Sequence, residues 1–284
     1  MEIKSLANTD FDTLFHAFEQ AFAEYEVQQD KVQLRKMLKR RGFDPRLSFA
    51  AFDQDRIVAF TLNGIGTYNG IRTAYDTGTG TLQDYRGKGL ATEIFKHSLP
   101  HLKEAGIEQY LLEVLQHNTK AVSVYRNLGF EVTREFNYFL ARKGETDIQA
   151  KEPDFPYSVR RIDLGEYDSI SGFQDFQPSW QNSRESIQRA SEELAALGAF
   201  TANRLIGYGV FEPGSGDITL LAVDKDYRRR GVGSLLLRQM AGRVEADAVK
   251  VINTDTACEG VTRFLEAQNI PVRGKQFEMI RKIQ

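Results

Sequence analysis

Residues 84–91 read DYRGKGLA, and residues 226–233 read DYRRRGVG. Each stretch follows an apolar run of strand character and precedes a run with helical periodicity, so each is predicted to be a strand-to-helix turn. Arg86 and Arg228 are 142 residues apart, half the length of the 284-residue chain. This period is too long for one unit of a solenoid, and it predicts two copies of one domain.

The composition sets the class of protein. The chain is 41% hydrophobic and 27% charged, which is ordinary for a globular protein. Its net charge of −2 gives no overall electrostatic attraction to nucleic acid or to an anionic membrane. Cys258 is the single cysteine, and the first residues lack the apolar core of a signal peptide. We predict a cytoplasmic protein, monomeric or homodimeric, with no nucleic-acid and no membrane partner.

Each half of the chain repeats one order of predicted elements. Strand and helix candidates come first, followed by strand, loop, helix, strand, helix and strand. This order predicts an α+β fold with a mixed sheet flanked by helices, duplicated in tandem. The joint is predicted at residues 143–159, which are polar and contain Pro153 and Pro156. The predicted domains are residues 1–145 and 156–284.

The first repeated stretch has the residues of a phosphate-binding loop. Gly87, Gly89 and Ala91 allow the backbone to approach a ligand closely. The helix that follows adds unsatisfied N–H groups and a positive dipole end, and Arg86 and Lys88 add positive charge. Neither the P-loop pattern nor the dinucleotide-binding glycine pattern fits. A plain structural turn is the alternative, and the repetition of the stretch favours binding.

These stretches resemble a known family. RGKGLA and RRRGVG match the Q/R-x-x-G-x-G/A signature of the GNAT family of N-acetyltransferases, which bind acetyl-coenzyme A. Residues 111–131, LLEVLQHNTKAVSVYRNLGFE, resemble the next strand and helix of that family. The resemblance is strong over residues 74–131, fair over 204–245 and weak elsewhere. It implies a mixed sheet in which the fourth and fifth strands splay apart around the cofactor.

The resemblance also implies which residues contact acetyl-coenzyme A. They belong to a strand segment, to the loop of each half and to an asparagine after the fifth strand. They are Thr79, Gly80, Thr81, Arg86, Gly87, Lys88, Gly89, Leu90, Ala91, Thr92, Asn118, Arg228, Arg229, Arg230, Gly231, Val232, Gly233 and Ser234. No metal is predicted, because His97 and His101 are separated by Pro100 and have no evident third ligand.

The catalytic residues are also inferred from the resemblance. In members similar to the ribosomal-protein alanine acetyltransferases, a Glu and a Tyr related as Glu113 and Tyr125 serve as general base and general acid. Two alternatives stay open at this point. Glu113 can face solvent in an alternating strand, with Asp76 as the rival base, and Tyr125 can be a core residue.

The second half departs from the pattern. Aligning residues 264–270 with residues 124–130 puts Leu265 at the position of Tyr125 and Cys258 at that of Asn118. The strand before them offers no counterpart of Glu113. We therefore predict one working site, in the first half. The second would be a degenerate copy that shapes the substrate cleft or retains cofactor binding without turnover.

These inferences predict an N-acetyltransferase. It would transfer an acetyl group from acetyl-coenzyme A to a primary amine by direct attack in a ternary complex. The acceptor, a small molecule or a protein amine, is not identified by the sequence. The alternative is a non-catalytic coenzyme A-binding or regulatory protein. A third hypothesis, nucleic-acid binding by the basic run at residues 31–41, is weaker because a solvated helix face explains those charges.

Overall fold

The computed structural model describes residues 1–24, 28–146, 148, 151–163, 165 and 172–283. The chain forms two compact units. Unit 1 comprises Met1–Val114, Asn118–Thr133 and Glu278–Gln284, and unit 2 comprises Leu115–His117 and Arg134–Phe277. Residues 147, 149 and 150 of the predicted joint lie outside the described residues. The domain bounds 1–145 and 156–284 stay a prediction.

Unit 1 is a mixed sheet with helices. Its strands run antiparallel from β1 to β4, and β5 is parallel to β4. The strands are β1 (Glu2–Ser5), β2 (Phe49–Asp53), β3 (Arg56–Tyr68), β4 (Ile71–Thr81) and β5 (Gln109–Leu115). The helices are α1 (Phe11–Ala21), α2 (Lys31–Arg41), α3 (Leu90–Glu104) and α4 (Thr119–Asn127).

Side chains at the helix ends fix where the helices of unit 1 begin. The Asp10 carboxylate accepts two backbone N–H bonds, both 2.9 Å long, at the start of α1. Asp30 and Gln33 form a reciprocal capping box at the start of α2, which ends at Gly42 with φ 79°. On α3, Leu90 and Ile94 are buried against β2 and β3. This packing anchors the first turn of α3, where the predicted phosphate loop ends.

Unit 2 repeats the mixed sheet. The strands from β7 to β10 pair antiparallel, β10 is parallel to β11, and β11 pairs antiparallel with β6. The strands are β6 (Glu131–Arg142), β7 (Ser158–Arg161), β8 (Ala195–Thr201), β9 (Arg204–Glu212), β10 (Asp217–Val223), β11 (Ala248–Asp255) and β12 (Val272–Lys282). The helices are α5 (Arg184–Arg189), α6 (Val232–Ala241) and α7 (Glu259–Glu266). The first residues of β6 and the last of β12 belong to unit 1.

The two parallel strands separate in each unit. The β4–β5 pairing runs from Thr73 to Tyr75 and then ends, although β4 continues to Thr81. The β10–β11 pairing is recorded at Asp217 with Lys250. Just beyond the last parallel pair, the antiparallel register shifts between Asp76 and Gly78 in β4 and between Ile218 and Leu220 in β10. Such bulges bend a strand. The predicted α+β class with splayed mixed sheets is confirmed.

Each unit has its own apolar cores, between its sheet and the helices on both faces. In unit 2, Leu236, Leu237 and Met240 of α6 are fully buried against residues of β8, β9 and β11. Among the described residues, no helix combines the length and the apolar character that crossing a bilayer requires.

Candidate active site

The loop before α3 has the backbone of an anion cradle. Gly87 and Gly89 have φ of 76° and 77°, in the region where L side chains are strained. A Cβ placed on either glycine would meet nothing within 4 Å. Gly89 caps α3 without a side-chain bond, and the first intrahelical bond runs from the Glu93 N–H to its carbonyl, 3.1 Å away. The earlier N–H groups of the helix therefore have no intrahelical acceptor.

The Arg86 side chain holds this loop in place. Its guanidinium donates to the Thr81 carbonyl at 3.3 Å and to the Ala21 carbonyl at 3.2 Å, and it pairs with the Glu24 carboxylate. The ammonium of Lys88 lies 4.6 Å from the centre of the Tyr85 ring. Lys88 thus supplies positive charge at the loop, whereas cofactor binding by Arg86 stays a prediction.

Asp76 and Tyr125 meet beyond the point where β4 and β5 separate. Asp76 Oδ2 accepts from the Tyr125 hydroxyl at 3.2 Å and from the Thr79 hydroxyl at 2.8 Å. Its Oδ1 accepts from the Gly78 N–H at 2.9 Å. Desolvation raises the pKa of Asp76 above the usual value of 3.8, although the bonds from Thr79 and Tyr125 oppose the shift. A carboxylate with a raised pKa in contact with a tyrosine is suited to proton transfer.

Glu113, the base implied by the family resemblance, lies on β5. Its Oε2 accepts from the Tyr75 hydroxyl at 3.2 Å. Burial and then the charge of Glu113 raise the pKa of Tyr75 well above its ordinary value, so Tyr75 stays protonated and donates. The structure therefore places both candidate bases by the split between β4 and β5, each bonded to a tyrosine.

Sequence reasoning missed Arg41, Tyr75 and Tyr110, which lie near these carboxylates. Arg41, the last residue of α2, donates to the Thr77 carbonyl at 2.9 Å, and its charge acts on both Tyr75 and Asp76. The buried Tyr110 donates to the Asn63 side chain. Its pKa is raised well above the ordinary value by burial and then by the charge of Asp76. A tyrosine in an apolar strand is normally interpreted as a core residue. The one sequence signal for a polar site was that Tyr75 and Tyr110 place hydroxyl groups on two neighbouring strands.

Helix α4 orients Tyr125. The Asn118 side chain accepts from the Ala121 N–H at 3.2 Å and so caps the start of the helix. At its end, Gly129 has φ 82° and the Phe130 N–H donates to the Tyr125 carbonyl at 3.0 Å, as in a Schellman motif. The contact of Asn118 with the cofactor stays a prediction.

The β4 segment predicted to border the cofactor extends beyond the last pair with β5. The Thr79 hydroxyl holds Asp76, while a Cβ on Gly80 would run into the Phe60 ring. Thr81 accepts the bond from Arg86 already described. Glycine is therefore required at position 80 by packing on β3.

The loop before α6 repeats the backbone of the loop before α3. Arg229 and Gly231 have φ of 59° and 91°, where Gly87 and Gly89 stand in unit 1. Arg228 repeats the bonds of its counterpart, donating to the Val223 carbonyl at 2.9 Å and the Phe173 carbonyl at 3.2 Å. Arg228 also donates to the Asp175 carboxylate at 2.8 Å, as Arg86 does to Glu24.

The surroundings of the second loop differ. A Cβ on Gly231 would overlap the Lys151 carbonyl oxygen. Arg230 donates to the Asp154 carboxylate at 3.0 Å, and its guanidinium lies 4.3 Å from the centre of the Phe155 ring. Residues 151–156 thus lie across this loop, and we name them the strap.

Three described positions of unit 2 match Asp76, Glu113 and Tyr125, and none of them holds an acid or a tyrosine. The Ile270 N–H donates to the Leu265 carbonyl at 3.0 Å, repeating the end of α4, so Leu265 stands at the position of Tyr125. Counting back from Leu265 by the same spacing puts Asn253 at the position of Glu113. Ile218, just before the strand irregularity in β10, stands at that of Asp76.

Other candidate groups have local partners. The rings of His97 and His101 lie 5.2 Å apart, and both rest against Phe49. Within the ranges that the structure describes, no three histidine, cysteine or acidic side chains gather in the manner of a metal site. On α2, Lys31 pairs with Asp12 at the protein surface.

Comparison with known proteins gives the same family for both halves. Residues 11–130 match the model of the Acetyltransferase (GNAT) family, and residues 164–260 match that of an Acetyltransferase (GNAT) domain. The N-alpha-acetyltransferase 30 of Schizosaccharomyces pombe is 32% identical over 98 residues, 34% of this chain and 65% of that protein. A mycothiol acetyltransferase of Kocuria rhizophila is 29% identical over 132 residues, 43% of each protein. The chain therefore spans about two fifths to two thirds of the length of these curated relatives.

Solved structures share the fold. A tandem GNAT protein from the clavulanic acid biosynthesis pathway superimposes with a TM-score of 0.73 at 14% identity, covering 100% of this chain and 99% of that one. An N-acetyltransferase from Sphaerobacter thermophilus gives a TM-score of 0.74 at 13% identity, covering 100% and 96%. At these identities the likeness concerns the fold alone.

Proposed function

Because the chain belongs to the GNAT family of acetyltransferases in both of its halves, we propose that unit 1 transfers an acetyl group from acetyl-coenzyme A to a primary amine. The observation that supports this most is the contact between Asp76 and Tyr125 beside the split between β4 and β5. It joins a proton acceptor to a proton donor where the family's cofactor would pass.

The residues of unit 1 fit the cofactor. The space at Gly87 and Gly89 and the uncapped start of α3 suit a pyrophosphate, with Lys88 close by. Thr79, Gly80 and Thr81 would border the pantetheine arm beyond the last β4–β5 pair. When bound, acetyl-coenzyme A would supply the activated acetyl thioester.

The side chains of unit 1 would manage the protons. An amine attacks only when it is neutral, so a carboxylate must accept its proton. Asp76 is favoured over Glu113 because it is bonded to Tyr125 and has a raised pKa. Tyr125 would give its hydroxyl proton to the departing sulfur. Asp76 would then return the amine proton to the Tyr125 oxygen through their 3.2 Å contact.

The acceptor is proposed only as a class. One relative is named an N-alpha-acetyltransferase and another a mycothiol acetyltransferase, so the names favour acceptors of different size. We propose a primary amine, on a protein or on a small molecule, attacking directly in a ternary complex.

The proposal is tested by thiol release. Purified protein with acetyl-coenzyme A and a panel of peptide and small-molecule amines should release free thiol in an amine-dependent manner. Tyr125→Phe removes the hydroxyl that Asp76 accepts, and kcat should fall roughly 10²-fold or more. Tyr85→Phe serves as the matched control, because it removes a tyrosine hydroxyl that is bonded to Asp53 and not to Asp76. If none of the amines in the panel caused thiol release although the protein bound coenzyme A, a non-catalytic binding protein would be favoured.

A further inference from the structure

Thr77 on β4 is an extra residue in the pairing of this strand with β3. Asn63 pairs with Asp76 and Leu62 pairs with Gly78, so the register leaves Thr77 out. Such a bulge takes the extra residue out of the ladder and changes the direction of the side chains beside it. Because Thr77 is buried, its carbonyl needs a donor from within the protein.

The bulge determines which side chains share a face with Asp76. Two residues that are three positions apart, such as Asp76 and Thr79, point to opposite faces of a regular strand. Here Asp76 pairs with Asn63 and Thr79 pairs with Thr61, and these two residues of β3 share one face. The Thr79 hydroxyl can therefore donate to Asp76 at 2.8 Å, on the face where Asp76 meets Tyr125 at 3.2 Å. Loss of the bulge would separate Asp76 from Thr79.

A cation from α2 holds the bulge. The Arg41 guanidinium donates to the Thr77 carbonyl at 2.9 Å, across 36 positions of the chain. The Thr77 hydroxyl bonds within the sheet, to the Leu62 carbonyl at 3.1 Å. A hydrogen bond from a charged donor is about twice as strong as one between neutral groups. The bond from Arg41 is therefore the stronger of these two contacts.

The backbone of Arg41 is fixed against β3. Helix α2 is capped by Gly42, whose carbonyl accepts a backbone N–H of β3 at 2.8 Å. A Cβ on Gly64 of β3 would overlap the Arg41 carbonyl oxygen, so glycine is required for this approach. Gly64 pairs with Tyr75, the residue before Asp76. Arg41 thus starts one strand away from the bulge that it holds.

Charged and titratable groups from four elements lie around Tyr75 and Asp76. They are Arg41 of α2, Tyr75 of β4 itself, Tyr110 and Glu113 of β5, and Tyr125 of α4. Burial raises the pKa of Asp76, and the positive charge of Arg41 is one of the influences that oppose the shift. Arg41 therefore favours the ionised carboxylate, which is the form that can accept a proton.

We propose that Arg41 is a positioning residue for acetyl transfer, which keeps Asp76 beside Tyr125 by holding the Thr77 carbonyl. The inference rests on the proposed function, in which Asp76 accepts the proton of the amine. Arg41 acts through the bulge and through its charge, and it takes no part in the proton transfers themselves.

The test compares Arg41→Gln with Lys36→Gln, which removes a positive charge from an exposed position of the same helix. In thiol release, kcat of Arg41→Gln should fall roughly 10–100-fold, because a small displacement of a catalytic group is costly. The KM for acetyl-coenzyme A should stay near that of wild type. The acidic limb of kcat should move to higher pH, because a charge that favours the carboxylate is lost. Lys36→Gln should behave as wild type, and Arg41→Lys, which keeps a charge and a donor, should recover part of both effects.

Carbon-13 NMR of the full chain, labelled at the aspartate carboxyls, tests the placement of Asp76 without turnover. Asp76→Asn identifies the resonance. Its titration midpoint should rise in Arg41→Gln and should keep the wild-type value in Lys36→Gln. Equal midpoints in these two variants would overturn the role of Arg41.

Failure of the proposed function would give a different result. Wild-type protein that released no thiol with any amine would overturn that function and, with it, the catalytic consequence of Arg41. The NMR titration would still show whether Arg41 acts on Asp76. Thermal melts would verify folding, and Arg41→Met, which keeps an apolar stem, carries the same expectations if Arg41→Gln does not fold.

Discussion

In unit 1 the loop before α3 is open at Gly87 and Gly89, whereas in unit 2 the strap covers the loop before α6 at Gly231. The backbones of the two loops agree, since each has two residues with positive φ and an arginine tied to the preceding strand. The comparison teaches that a loop can keep its shape after its surroundings have changed. Loop geometry alone therefore does not establish cofactor binding in unit 2.

The reactive ends of the two units differ even more. Unit 1 has Asp76, Glu113 and Tyr125, and unit 2 has an isoleucine, an asparagine and a leucine at those positions. The helix that carries the tyrosine or the leucine ends with the same backbone bond, 3.0 Å long in each. The protein thus retains the scaffold twice, and it has the two carboxylates and the tyrosine proposed for proton transfer once.

The largest expected effect concerns the base. Asp76→Asn should lower kcat roughly 10²–10⁴-fold, because the amide cannot accept the amine proton. Glu113→Gln should lower it much less. The measurement is steady-state kinetics across pH, with loss of the acidic limb in Asp76→Asn. The opposite ranking of the two variants would transfer the role of base to Glu113.

A matched pair of substitutions tests the two loops. Ala91 and Gly233 occupy the same position, the second residue of α3 and of α6, and neither has positive φ. Ala91→Trp should fill the open cradle and weaken coenzyme A binding about 10²-fold. Gly233→Trp should leave coenzyme A binding nearly unchanged, as measured by calorimetric titration.

Two binding events in the wild-type calorimetric titration, one lost in each variant, would contradict this contrast. They would mean that the strap yields to the cofactor and that both units bind it.

The pH dependence of stability tests the burial of Asp76. Its pKa in the folded protein is raised above 3.8 by desolvation. The stability linked to its protonated form is thus present at low pH and is lost as pH rises through the folded pKa. Relative to Asp76→Asn, the wild-type Tm should fall as pH rises from about 4 through the raised pKa of Asp76 in the folded protein. Asp84→Asn, which removes an exposed carboxyl, controls for net charge. The prediction would be contradicted if the pH dependence of Tm changed no more in Asp76→Asn than in Asp84→Asn.

The smallest effect concerns the equivalent ends of α4 and α7. Gly129 has φ 82° and Asn269 has φ 56°, and asparagine tolerates this region better than most residues. Gly129→Asn should cost about 0.5–1 kcal/mol of unfolding free energy, and Asn269→Gly should change it by a similar or smaller amount with the opposite sign. Urea denaturation at equal m-values measures both. A large loss in either variant would mean that the two helix ends are not equivalent.

The sequence itself predicted the duplication, the mixed sheets and the two phosphate-type loops. Glycines at spacing two, turn residues and apolar periodicity are local signals, and local sterics decide such elements. The replacement of Tyr125 by Leu265 was also readable from the sequence, because the helix end that follows both residues has the same pattern.

Tertiary structure alone decided the partners. The contact of Asp76 with Tyr125 joins residues 49 positions apart, and the strap meets Arg230 across 76 positions. No local pattern specifies such contacts, since they depend on where strands separate and on which segment packs over a loop. For the same reason, the sequence suggested phosphate binding at both loops, whereas packing left space at Gly89 and filled it at Gly231.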